Sequence, residues 1–240
     1  LPTRLAQFYE RGGAVTTLAG ERASVSIVGA VSPPGGDFSE PVTQHTRRFI
    51  RCFWALDRSL ANARHYPAIS WLDSYSEYLS EVARWWGERI SADWAADRTE
   101  IMDLLHREVR LQQVVKLVGP DALPDTQRFV LEVCTLFKNA FLQQNAYDKI
   151  DAFSVVQKQV RMLHVIVMYW KRGSAAIKDG ATLIALKKLK VYQDIVKMKF
   201  SIPNDDLAGF DKIEARLERA MDQLEALHAS DEKPKSAARP

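Results

Sequence analysis

At 240 residues, 47% of them apolar, the chain can bury one sizeable core or two small ones, and its composition excludes a disordered tail or a fibre. Thirty-three basic against 30 acidic residues leave a net charge of +3, too small and too evenly spread to mark a nucleic-acid partner. Apolar runs such as Val165–Trp170 fall far short of the roughly 20 residues that cross a bilayer, so no membrane span is expected.

In chain order, the pattern from Arg4 to Arg11 predicts a helix, and Gly12-Gly13 supplies the left-handed freedom that commonly ends one. Val15–Leu18 and Ser24–Val31 are β-branched and apolar, and Ala19–Arg22 can turn between them, which predicts a hairpin. No other strands are expected. A lone hairpin is marginal in water, and its second run is apolar enough to want neighbours on both sides. The chain is therefore expected to be the downstream part of a larger protein whose other strands precede Leu1.

Ser32–Thr43, "SPPGGDFSEPVT", packs three prolines, two glycines and two carboxylates ahead of a helical pattern. An anion cradle, a catalytic loop and a surface facing another protein are the functional readings, although two carboxylates would repel phosphate. A plain connection with Ser39 or Thr43 near a helix cap is the structural one. Phe49, Ile50, Phe53, Trp54, Leu56 and Leu60 have helical spacing, and the segment should stop before Pro67. Ser74 with Glu77 matches a capping box, followed by inward-facing Tyr78, Leu79, Val82, Trp85 and Trp86. Ile101 to Val118 carries the next apolar stripe, closed by Gly119-Pro120, with a partner helix over about 126–142. Further helices are predicted over 155–170, 181–198 and 207–227, separated by Gly173 and by Pro203-Asn204, before a Lys/Ala/Ser/Pro tail expected to be disordered.

Little of this carries chemistry by itself. None of the 11 glycines stands in a G-x-x-x-x-G-K-[ST] loop, so phosphoryl transfer cannot be complete within the chain. The histidines at 45, 65, 106, 164 and 228 lack metal-ligand spacing, and no serine sits in a nucleophile elbow. Cys52 and Cys134 read as buried, reduced core thiols. Trp85, Trp86 and Trp94 read as core or inter-helix filling rather than a stacking platform, Lys187–Lys190 as a solvated face, and Asp205 and Asp206 as helix-start charges.

More specific is the combined stretch Val31–Tyr78, "VSPPGGDFSEPVTQHTRRFIRCFWALDRSLANARHYPAISWLDSYSEY", which resembles the catalytic A subunit of vacuolar-type and archaeal-type rotary ATPases. Phe141–Asp148 is similar to that family's "FLQQNAF" segment, and Arg4–Arg11 to the helix following its Walker B region. The resemblance implies a mostly α fold: a C-terminal helical bundle preceded by a helix and β-hairpin remnant of an α/β nucleotide-binding domain. It divides the chain into residues 1–72 from that domain, a helical domain over 73–228 and a disordered tail over 229–240. It also places the phosphate loop, catalytic glutamate and Walker B aspartate upstream of Leu1; Glu21 belongs to a different "GER" and is not that glutamate.

What the resemblance implies about function concerns the whole complex, an ion-translocating ATPase or ATP synthase moving protons or sodium, with this chain silent alone. Tyr66, Gln144, Asn145 and Tyr147 are implied to face adenine, the rings by stacking and the amides by edge contacts. By similarity to the F-type beta subunit, Gly35, Gly36, Asp37, Phe38, Ser39 and Glu40 are implied to face the central stalk. ATP or ADP with Mg2+ would bind in the full-length protein, none of it held by this chain alone. The implied partners are B subunits of an A3B3 hexamer and central stalk subunits, with the membrane reached only indirectly from the cytoplasm. A helical adaptor that binds proteins and no nucleotide is the alternative.

Overall fold

None of the described side chains in the first helix and the two strands that follow it is buried, and these N-terminal elements pack mainly on one another and on the next helix. A computed structural model describes residues 2–231, with side chains through residue 227; the expected disordered tail therefore lies almost wholly outside the described residues. Helix α1 (Pro2–Tyr9) leads into strands β1 (Gly13–Thr16) and β2 (Arg22–Val25), paired antiparallel from Gly13↔Val25 to Thr16↔Arg22. Gly20, at φ 82°, makes the turn. Every residue of both strands is exposed, and β2 stops at Val25, short of the expected Val31. Helix α2 (Pro41–Phe49) packs beside α1.

The helix expected through Phe49–Leu60 does not form. Ile50 is extended, and β3 (Cys52–Phe53) pairs antiparallel with β4 (Tyr75–Ser76), continued by a bridge between Leu56 and Ile69. The burial here alternates: Phe53 and Ala55 turn inward while Trp54 and Leu56 face out. That is the period of a strand, and the helical spacing of the same residues was coincidental. Helix α3 (Arg58–Asn62) starts only where the Asp57 carboxylate accepts the amides of Ser59 and Leu60. Cys52, on the outward side, is exposed rather than core; Cys134 is buried as expected, which pushes its thiol up to about 12. Nor does Ser74 cap a helix. Its hydroxyl accepts from the Ala55 amide at 3.0 Å and donates to the Ser70 carbonyl, bracing the sheet.

The remaining residues build one helical body. Helices α4 (Leu79–Arg89), α5 (Trp94–Val118) and α6 (Asp125–Phe137) are followed by a wide π turn (Lys138–Leu142) and then α7 (Val156–Lys178), α8 (Leu183–Lys188), α9 (Lys190–Ser201) and α10 (Ala208–Asp231). Trp86 stacks on Trp94 at 4.6 Å to join α4 to α5, whereas Trp85 faces outward. Gly119, at φ 83°, ends α5 as expected. The single helix expected over 181–198 is broken at Leu189. Leu186 and Val191 lie five positions apart, about 140° around a continuous helix, and the break lets both enter the core.

Helix α7 is the centre, packed against α5, α6, α9 and α10. Its buried face meets Phe129, Val133, Ile195, Phe210 and Leu217. On the α10 side, Arg161 reaches Asp211 and Glu214, and Arg172 reaches Glu218, Asp222 and Glu225. Gly173 lies inside this helix rather than between two. A Cβ there would sit 2.4 Å from Cζ of Phe129, so the glycine exists to admit that ring.

Both the glycine and the histidine of α7 can be tested. Gly173→Ala should destabilise the fold by about 1–3 kcal/mol through overpacking despite the better helix propensity of alanine; a thermal melt at or above wild type would contradict it. His164 shares a 2.7 Å hydrogen bond at Nδ1 with buried Asp97, which raises its pKa above the ordinary value, aided by Glu214 and Asp93 and opposed by desolvation. The protonated ring is favoured in the fold, so its stabilisation is complete below about pH 6.5 and is lost as pH rises through the raised value. His164→Gln should flatten that segment of the stability–pH curve measured in urea.

Candidate functional site

The adenine-facing candidates fall on two segments far apart in sequence, and the fold joins them by hydrogen bonds to main-chain carbonyls. In the first, α3 ends in a turn where Arg64 takes a left-handed conformation at φ 57°, uncommon for a side-chain-bearing residue, and the Tyr66–Pro67 peptide bond is cis. The second leaves the π turn at Gln143. The Gln144 amide donates to the Tyr66 carbonyl at 2.7 Å, Gln143 Nε2 donates to the Arg64 carbonyl at 3.4 Å, and His65 Nε2 lies 3.1 Å from the Lys138 carbonyl. Tyr66 and Tyr147 keep their rings accessible, 54% and 99% exposed. The Tyr66 hydroxyl donates to the Ala61 carbonyl at 3.4 Å.

Local carboxylates and amides shape the second segment. Asn145 spends its side-chain oxygen on the Tyr147 amide at 3.0 Å, and its own amide donates to Asp151 at 2.7 Å. Asp148 accepts from the amides of Asp151 and Ile150, which holds its carboxyl below the usual range. Beneath them lie two buried lysines that sequence reasoning passed over. Lys199, 4% exposed, donates from Nζ to the Asn139 carbonyl at 2.7 Å and to the Gln143 carbonyl, with Asp151 at 3.9 Å. Lys158, fully buried, donates to the Lys199 carbonyl at 2.8 Å. Desolvation lowers the pKa of both, and in both Asp151 opposes the shift.

A second ion pair, between buried Glu108 and half-buried Lys138, lies against the first segment. Lys138 Nζ lies 2.6 Å from both oxygens of Glu108 on α5 and 4.9 Å from the centre of the Trp71 ring. Neither Lys199 nor Lys138 was legible beforehand, because nothing in the run Val196–Phe200 or Leu136–Asn139 distinguishes a cation paired inside the fold from a solvated one. Among the described residues, no group of three or more His, Cys, Asp or Glu is placed to hold a metal ion. Cavities of about 510 Å³, against Arg128 and Glu132, and about 280 Å³, against Asp93 and His164, lie in the helical body away from both tyrosines.

The stalk-facing candidates form a separate feature. Pro34–Gly36 make one tight turn with Gly35 and Gly36 at φ 66° and 78°, conformations that favour glycine. Phe38 is half-buried and meets Phe53 edge-on at 5.7 Å, anchoring the loop to β3. Asp37 accepts from the Ser39 amide, and Glu40, rather than Ser39 or Thr43, caps α2 by accepting the amides of Val42 and Thr43. The Ser39 hydroxyl and then its amide hold the Asp37 carboxyl below its usual range, and the Val42 and Thr43 amides do the same for Glu40. Gly35, Gly36, Asp37 and Ser39 are exposed.

Comparison with known proteins gives two adjoining matches. Residues 1–76 match the nucleotide-binding domain of the ATP synthase alpha/beta family, and residues 83–187 match the C-terminal domain of V and A type ATP synthase. The V-type ATP synthase alpha chain of Halothermothrix orenii is 52% identical over 93% of this chain, and the corresponding A-type ATP synthase protein of Methanopyrus kandleri is 47% identical over 95%. The chain spans 38% of the length of each. Among solved structures, the ATP synthase subunit NeqB of Nanoarcheaum equitans aligns with a TM-score of 0.56 at 22% identity, over 69% of this chain and 38% of that one, a likeness that bears on fold alone.

The Glu108–Lys138 pair generates a prediction. Lys138→Met strands a buried carboxylate and should cost about 3 kcal/mol, whereas the double variant Glu108→Gln with Lys138→Met should recover most of it. Additive losses in a urea-unfolding double-mutant cycle would show that the two act independently.

Proposed function

This chain belongs to the family of V-type and A-type ATP synthase alpha chains, as a C-terminal portion, and on that premise we propose that it supplies one wall of an ATP site and the lever attached to it. Residues 1–72 then complete a nucleotide-binding domain, whose remaining strands give the exposed β1–β2 hairpin its neighbours. Residues 73–228 form the helical domain. Tyr66 and Tyr147 offer π faces to adenine, with Gln144 and Asn145 beside them.

The observation that carries this reading is the 2.7 Å bond from the Gln144 amide to the Tyr66 carbonyl, which sets the two ring-bearing segments side by side while leaving both rings open. The residues fit a purine and do not fit a triphosphate, since no phosphate loop is present. The grip on phosphate and Mg2+ would come from the rest of the full-length protein, and a neighbouring B subunit would supply the cation that stabilises the transferring phosphoryl group. Nucleotide-driven closure would pass through the helical body to a central stalk meeting Gly35–Glu40. The whole assembly would couple ATP hydrolysis or synthesis to ion transport, with this protein peripheral to the membrane on the cytoplasmic side. Among the described residues no helix is long and apolar enough to cross a membrane.

Tyr66→Ala and Tyr147→Ala in the full-length protein should each weaken ATP binding by about 1–3 kcal/mol, the usual worth of a ring–base stack. Wild-type affinity for a fluorescent ATP analogue in both variants would remove the base-binding reading and favour a protein-binding adaptor.

A further inference from the structure

We propose that Lys199 is a positioning residue for the base-facing segment: from α9 it fixes the backbone of Gln143–Tyr147 against Tyr66, and so sets nucleotide affinity without touching nucleotide. The inference rests on the reading of Tyr66 and Tyr147 given above. Three connections carry it. Lys199 Nζ binds the carbonyls of Asn139 and Gln143, at the start and the exit of the π turn. It also faces Asp151 at 3.9 Å, and that carboxylate takes the Asn145 amide at 2.7 Å. Gln144, between these two anchored positions, gives its amide to Tyr66.

An ammonium has three donors and no acceptor, and a buried one must find partners for them. Here the partners are carbonyls that the wide turn leaves free, because a π turn and its exit do not close the usual helical bonds. The cation and the turn therefore satisfy each other. Lys158 locks the arrangement from below through the Lys199 carbonyl. Removing the cation frees the Gln143 carbonyl and leaves Asp151 without its nearest positive charge, so the path of residues 143–147 is no longer determined. Both tyrosines keep their identity, but their spacing is lost.

The test uses the full-length protein in its assembled complex. Lys199→Met, similar in length but without donors, should raise the KM for ATP roughly tenfold, equivalent to about one ring–base contact, with kcat within about twofold. Asp151→Ala should act in the same direction and decides the matter where Lys199→Met fails to assemble. Inhibition by inorganic tripolyphosphate, which has no base, should be unchanged, and amide hydrogen exchange at Gln144 and Asn145 should quicken. Leu217→Ala, a core change in α10 chosen to lower Tm comparably, should leave the KM alone. If Lys199→Met and Asp151→Ala leave ATP affinity and exchange at wild type while Tyr66→Ala weakens binding, positioning by Lys199 is wrong and the base site stands. Equal KM changes in Lys199→Met and Leu217→Ala would reduce its role to general stability and also overturn the proposal. If the tyrosine variants bind ATP normally, the base site itself falls, and this proposal with it.

Discussion

Two desolvated ammonium groups, Lys199 and Lys158 beneath it, impose the constraint on which this junction depends. Lys199 lies where α9, the π turn and the Asn145–Asp151 loop converge, and it is almost wholly removed from water. Burying a charge is costly unless hydrogen bonds and opposite charge replace water. That requirement forces backbone carbonyls and Asp151 into fixed positions around Nζ. The segment they belong to is the one that clasps the turn bearing Tyr66.

On the other side, Glu108 holds Lys138 within the helical body, and the loop of residues 63–71 meets that body through the Gln144–Tyr66 main-chain bond, the His65 and Gln143 side chains, and the Trp71 ring beside the Lys138 ammonium. Directional bonds of this kind constrain geometry in a way that apolar contact does not. By contrast, α1, β1 and β2 present exposed strands and sparse packing. The molecule thus has a well-packed helical body, a precise joint and an uncovered N-terminal edge. The contrast is one of burial: apolar side chains close the helical body, whereas both hairpin strands stay open to solvent.

Much of the helical body was legible in the sequence. The apolar stripes of α5, α6, α7 and α10 carry the helical period over long stretches, and Gly119-Pro120 and Pro203-Asn204 mark stops that the fold obeys. Asn204 even closes the gap it sits in, taking the Val155 amide and giving to the Phe153 carbonyl. The failures were local. Residues 50–57 have a spacing that serves either period, and pairing with Tyr75–Ser76 decided for the strand. Gly173 reads as a breaker, yet the helix runs through it because Phe129 needs the space. Leu189 reads as helix interior, yet two core contacts on different azimuths break the helix there.

The sequence alone determined the mostly helical class, the long helices, the kinship carried by Val31–Tyr78 and Phe141–Asp148, and the lack of a phosphate loop, because periodicity and contiguous motifs are properties of neighbours along the chain. Only the tertiary structure decided that Tyr66 and Gln144 share a hydrogen bond, that Lys199 and Lys158 are buried rather than solvated, and that β3 replaces a helix. Each of these depends on a partner many residues away. A lysine in a helix carries no local mark of whether water or carbonyls will surround its ammonium.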